Sequence, residues 1–201
     1  MNRKGFSITV MKIRITLVLS VLIPMGKLPM ANARRVAFVV VMVALSNILG
    51  LPPFIVSLGV MNIHFIQIPI ILTGLALGAV AGGFVGLIGA MTMALTLPVP
   101  NFYILPGNAI LGCVTGLLYG VLAKRKWKPI ISRIVSALGA YAVQVPYVYV
   151  TDVYLMRMPQ PVVVTIVFTL LVEDLISVFL SHIVLYRVSI PKDLKNTTVT
   201  A

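Results

Sequence analysis

The chain has 201 residues, of which 60% are apolar and only four acidic, with a mean hydropathy of +1.09 and a formal charge of +12. Soluble domains run at roughly 45–50% apolar and about 25% charged residues, so this composition excludes an ordinary soluble domain and describes an integral membrane protein. The cation surplus reads as an orientation signal and an attraction to anionic lipid headgroups, not as a nucleic-acid footprint.

Residues 1–33 are expected to form a cytoplasmic or interfacial extension. Arg3, Lys4, Lys12 and Arg14 stand before a short apolar run from Ile15 to Met25, and Ala31-Asn32-Ala33 resembles a small-residue cleavage site. Cleavage there would leave Arg34 and Arg35 outside, which argues against a signal peptide. Met25 or Met30 would also serve as a start.

About 20 predominantly apolar residues cross a bilayer. Such stretches lie near 35–50, 63–79, 80–97, 104–123, 130–150 and 162–187. The expected fold is an all-α integral membrane bundle of six transmembrane helices over 34–188, followed by a cytoplasmic tail at 189–201. Six spans put both termini on one side. Arg34 and Arg35 precede the first span, the Lys124–Lys128 run joins the fourth to the fifth, and Arg187, Lys192 and Lys195 follow the sixth. Short basic loops stay in the cytosol, so both termini are cytoplasmic and Arg157 is the one cation of sixteen placed outside. The loops around 51–62, 98–107 and 151–161 then face outward.

Gly74, Gly78, Gly82, Gly86 and Ala90, then Gly112, Gly116 and Gly120, recur every four residues. That spacing keeps small side chains on one helix face and lets backbones approach closely, the usual means of packing in lipid. Pro69 and Pro146 fall inside expected spans, where each would free a backbone carbonyl and kink its helix. Cys113 is alone, which excludes an intrachain disulfide and a cysteine-based metal site.

Polar residues collect toward the outward ends. Asn62, His64 and Gln67 open the second span, with His64 and Gln67 three apart on one helix face. Asn101 and Tyr103 lie in the next outward connection, and Asn108 opens the fourth span after Pro106-Gly107. Gln144, Tyr147 and Tyr149 end the fifth span, and Thr151 and Asp152 follow. Amides, phenols and an imidazole can hydrogen-bond the edges of a planar heteroaromatic molecule and stack on its face. Asn108 is equally suited to capping a helix, and the tyrosines to an interfacial belt.

Glu173 and Asp174 fall near the middle of the sixth span, where a carboxylate costs several kcal/mol unless paired, protonated or hydrated. Neighbouring positions diverge by about 100°, so one is expected to line the interior and the other to meet a neighbouring helix. No cation within the spans is an evident partner. Glu173 is placed with the candidate binding residues.

No nucleophile elbow, zinc-protease, phosphate-loop or acid-rich metal motif is present, so the sequence supplies neither catalytic nor metal residues. Arg34-Arg35-Val36-Ala37, Ile63-His64-Phe65-Ile66-Gln67-Ile68-Pro69, the run Gly74 to Gly83, and Leu105-Pro106-Gly107 leading to Gly112 and Tyr119-Gly120 together resemble the substrate-capture (S) component of energy-coupling factor (ECF) transporters. The resemblance covers roughly 34–187. It implies a multi-pass protein of a prokaryotic plasma membrane that binds a vitamin or related micronutrient under its outer loops and topples in the bilayer to deliver it. A transmembrane coupling subunit and two ATPase subunits supply the drive, so ATP is hydrolysed by partners and this chain needs no cofactor. The resemblance also implies docking of the coupling subunit on small residues of the first helix, at Ala33, Ala37 and, departing from the pattern, Val41. The stretch from Ile68-Pro69 to Pro106-Gly107 is closest to folate-type members, whereas Met91-Thr92 replaces an acidic residue often found in the third span. Two other classes fit the residues: a membrane enzyme using Glu173 and Asp174 with His64 or His182, and a noncatalytic assembly subunit docking through its glycine faces.

Overall fold

A computed structural model describes residues 30–58, 61–97, 99–125 and 127–187. Most of the expected extension, the tail from residue 188, and Lys126 lie outside them. The chain divides into two units, Met1–Ala33 and Arg34–Ala201, and the fold below is that of the second.

The described elements are α1 (Met30–Leu49), a 3-10 turn (Pro52–Phe54), the antiparallel pair β1 (Val56–Leu58) and β2 (Met61–Ile63), α2 (Gln67–Leu77), α3 (Ala79–Gly89), α4 (Met91–Thr96), α5 (Ile104–Lys124), α6 (Pro129–Val150), a π-helical turn (Thr151–Leu155) and α7 (Gln160–Arg187). Among the described residues, four segments are long and apolar enough to cross a membrane: Ala79–Thr96, Ile104–Lys124, Pro129–Leu155 and Gln160–Arg187. Their outer faces carry exposed Val80, Phe84, Leu117, Val143, Phe168 and Phe179. Ser136, Thr115, Ser177 and Asp174 are buried instead, as expected where the solvent is lipid and polar groups facing it are costly.

The second expected span is the one the fold revises. A helix over 63–79 would cross about 25 Å, yet the observed α2 has 11 residues, about 16 Å. Val56–Leu58 and Met61–Ile63 pair as antiparallel strands, with Ser57 opposite Asn62 and Val56 opposite Ile63. His64 therefore precedes the helix and does not share its face with Gln67. Pro69 becomes the third residue of α2, where an intrahelical N–H partner is not required, so it starts the helix and does not kink it. Pro146 does lie inside α6. Asn108 is not a cap: α5 begins at Ile104, which puts Pro106 and Gly107 in its first turn and Asn108 in its second.

Gly78 separates α2 from α3 with φ 91°, a conformation that a side chain strongly disfavours. The chain folds back there and α3 packs against α5 along the glycine faces. A Cβ on Gly86 would collide with the Asn108 carbonyl, one on Gly82 with that of Gly112, and one on Gly116 with the backbone of Ala79; one on Gly74 would stand 2.7 Å from the Gly112 oxygen. Gly120 meets nothing within 4 Å, so the close approach ends at Gly116. The buried core of Ile70, Ile71, Leu75, Val85, Leu111, Ala137, Ala140 and Val178 joins α2, α3, α5, α6 and α7.

Asn47 fastens α1 to the break between α3 and α4. Its Nδ2 donates to the Val43 and Ile88 carbonyls at 3.0 Å each, and its Oδ1 accepts from the backbone N–H of Thr92 at 2.9 Å and its hydroxyl at 2.8 Å. The first turn of α4 is thus capped from another helix. Ser46 adds a bond from its hydroxyl to the Ile66 carbonyl at 2.9 Å.

Candidate functional site

A cavity of about 630 Å³ opens between the strand pair, the start of α5, the end of α6 and the first half of α7, a volume typical of small-ligand sites. Asn62, His64, Gln67, Asn101, Tyr103, Asn108, Gln144, Asp152 and Glu173 all line it. Tyr147 is the expected site residue that does not. It buttresses the wall instead, with its hydroxyl donating to the Tyr103 carbonyl at 3.1 Å and its ring beside Gly107.

Each polar group is held by local geometry. In α5, Asn108 turns its Nδ2 back to the Ile104 carbonyl at 3.0 Å. A carbonyl can only accept, so this bond fixes the amide and leaves Oδ1, which has no hydrogen-bond partner. Gln67 at the start of α2 and Gln144 near the end of α6 are each about 98–99% buried, and their Oε1 atoms are likewise unpartnered. Asp152 sits in the π-helical turn, buried, and accepts from Asn101 Nδ2 at 3.4 Å. That turn closes onto the next one through Met158 N–H to the Asp152 carbonyl at 2.9 Å, and Arg157 takes φ 54°.

Glu173 has a partner that the sequence did not disclose. Its Oε1 accepts the backbone N–H of His64 at 2.6 Å and lies 3.1 Å from His64 Nδ1. The pair is 109 residues apart in sequence and joins the middle of α7 to the chain leaving β2. Both bonds use Oε1, so Oε2 is left toward the cavity. Asp174 is fully buried, does not line the cavity, and has no hydrogen bond on either carboxyl oxygen. The two acids therefore diverge as neighbouring helical positions should.

Sequence reasoning passed over Thr165 and Thr169, although Pro161, Thr165, Thr169 and Glu173 follow one another in steps of four and all line the cavity. That stripe on α7 was readable. The two hydroxyls donate to carbonyls one turn back, Thr165 to Pro161 at 3.0 Å and Thr169 to Thr165 at 2.9 Å, which leaves their oxygens to accept. The apolar wall of Ile66, Met93, Ile104, Val148, Ile166 and Leu170 had no such signal. His182 is elsewhere: Arg133 Nη1 donates to its Nδ1 at 2.7 Å, and it does not line the cavity. The carboxylates and His182 are not assembled into one constellation. Among the described residues no cluster of His, Cys, Asp or Glu could hold a metal ion.

The basic residues mark the opposite end of the same helices. Asn108 near the start of α5 is 16 residues from Lys124, and Gln144 near the end of α6 is 16 from Lys128, each about 24 Å along the axis. A polar cavity at one end of an apolar bundle whose cations gather at the other is the arrangement of a membrane receptor for a small solute. The profile of the family described as "ECF transporter, substrate-specific component" matches residues 34–189. The chain belongs to that family. A solved structure described as the structure and mechanism of the S component of a bacterial ECF transporter shares the fold, with a TM-score of 0.61 at 18% identity, covering 78% of this chain and 95% of that one. No curated protein matches. As an S component, this chain is a membrane protein whose family role is to bind the transported substrate.

Proposed function

We propose that this S component captures a vitamin-like heterocycle from the outer face of a prokaryotic plasma membrane and passes it inward with a transmembrane coupling subunit and two ATPases. The observation that carries the reading is the cavity itself, lined among others by Gln67, Asn108 and Gln144, with Gln67 and Gln144 making no side-chain hydrogen bond among the described residues. A polar group left without a partner costs about 1–3 kcal/mol, and a bound solute that hydrogen-bonds these amides would remove that cost. The distribution of charge supports the orientation. With Arg34, Arg35, Lys124, Arg125, Lys128 and Arg187 at one end, the positive-inside rule places that end in the cytosol and the cavity outside. Six crossings follow if α1 and α2, the latter lengthened by the segment from β2, are added to the four long apolar segments. Residues 34–188 would then form the membrane domain between a cytoplasmic or interfacial extension and a cytoplasmic tail.

ATP would be hydrolysed by the partner subunits, with no cofactor in this chain. The coupling subunit would dock on α1 around Ala33, Ala37 and Val41; Val41 is 53% exposed and replaces the small residue that close helix approach favours.

The test is mass spectrometry of small molecules that copurify with the protein, compared with Asn108→Ala, Gln144→Ala and Glu173→Gln. Each substitution removes one bond or charge at the cavity and should lower retention about tenfold, equivalent to about 1.4 kcal/mol. Unchanged retention in all three would show that the cavity is not the binding site.

A further inference from the structure

We infer that the captured solute carries no net negative charge: a neutral or cationic heterocycle, not a carboxylate or phosphate. This inference rests on the capture reading and concerns the same cavity. Its described lining holds two carboxylic acids, Asp152 and Glu173, and neither lysine nor arginine. The one basic group there, the His64 imidazole, already has Nδ1 on Glu173 Oε1 at 3.1 Å. An anion in this site would face two carboxyl groups in a low-dielectric enclosure with no guanidinium or ammonium to offset it. Sites that select carboxylates or phosphates present Arg or Lys for the purpose.

The hydrogen-bonding inventory points the same way. Asn108 gives one of its two N–H groups to the Ile104 carbonyl, and its oxygen is buried without a partner. Thr165 and Thr169 have spent their protons on helix carbonyls, and the Asn101 NH₂ is directed to Asp152. Glu173 Oε2 completes a set that accepts. Gln67 and Gln144 make no hydrogen bond and can turn either end of their amides toward the solute. Against these, Asn62 Nδ2 and the Tyr103 hydroxyl have no hydrogen-bond partner among the described residues and can donate, so the wall offers neutral donors and acceptors to a polar solute and no cation to an anion. The folate-type likeness of residues 68–107 does not extend to a place for that class's carboxylates.

The experiment uses the full-length chain in lipid nanodiscs and pairs of probes that share a ring but differ in charge: pyridoxine with pyridoxine 5′-phosphate, riboflavin with its 5′-phosphate, and 6-hydroxymethylpterin with folic acid. Equilibrium binding is measured for each, and any copurifying compound is identified by mass. The expected result is that the retained compound is neutral or cationic at pH 7, and that in every pair showing binding the uncharged member binds at least tenfold tighter. A copurifying carboxylate or phosphate, or an anionic probe that binds as tightly as its partner, overturns the inference and leaves the capture reading standing. Retention of no probe and no copurifying compound overturns the capture reading, and this inference with it.

Discussion

At the scale of single residues, Glu173 is the group on which the site's closure depends. Its Oε1 accepts two hydrogen bonds from His64, one from the backbone and one from the ring. Glu173→Ala removes the acceptor and leaves a sequestered N–H unsatisfied, a loss of about 1.5–3 kcal/mol for bonds to a charged group. Glu173→Gln keeps a carbonyl oxygen in the same place. Amide hydrogen exchange at His64 should therefore be slow in the wild type and in Glu173→Gln and at least tenfold faster in Glu173→Ala. Equal exchange in all three would mean that Glu173 does not hold the chain after β2. This pair was unreadable in the sequence, because a partner 109 residues away leaves no local periodicity. Gln67, Asn108 and Gln144 were legible for the opposite reason: each is a polar interruption in an apolar stretch, where burial has to be explained by a bond or a ligand.

At the scale of elements, the glycine faces decide how α3 and α5 meet. Gly86→Ala would push a methyl group into the Asn108 carbonyl, and backbone atoms cannot yield as a flexible side chain does. It should lower thermal stability by the equivalent of about 1–3 kcal/mol and also disturb the cavity through Asn108. Gly120→Ala meets open space and gains helix propensity, so its melting temperature should match or slightly exceed the wild type. A melting temperature for Gly86→Ala equal to that of Gly120→Ala would contradict the packing described. Asn47→Ala tests a different joint: it deletes three hydrogen bonds between α1 and the α3–α4 break and one within α1 and should destabilise by about 2–3 kcal/mol, read as a lower melting temperature in detergent. The four-residue spacing of glycines announced the close packing, since it is a property of one helix face. The pairing of β1 with β2 was hidden, because its apolar residues continue the hydropathy of α2 without a break and length alone distinguishes the two. The stretch 104–123 matches α5, but Pro106-Gly107 looks like a helix start and so put Asn108 at the opening of the helix, although proline is as acceptable within the first turn as before it.

At the scale of the whole molecule, charge and cavity divide the bundle between two ends. The apolar composition, the order of helices and the gathering of cations were all present in the sequence, and the family assignment over 34–189 follows the same residues that suggested it. What sequence could not supply was the depth of the site: the cavity reaches from Pro161 to Glu173 on α7, about 18 Å along that helix, and so extends into the middle of a membrane-spanning segment. A solute bound there would be withdrawn from water on most sides, which is why the two ends of the bundle must open to different compartments if capture is to become import.

That claim is tested most directly by cysteine labelling in intact cells, in a Cys113→Ser background, with a maleimide that does not cross membranes. Ser57→Cys lies on the exposed β1 residue opposite cavity-lining Asn62, and Lys128→Cys lies at the basic end before α6. The account predicts that Ser57→Cys labels from outside and that Lys128→Cys labels only after the cells are opened. Labelling of Lys128→Cys in intact cells, with Ser57→Cys protected, would turn the cavity toward the cytosol and contradict it.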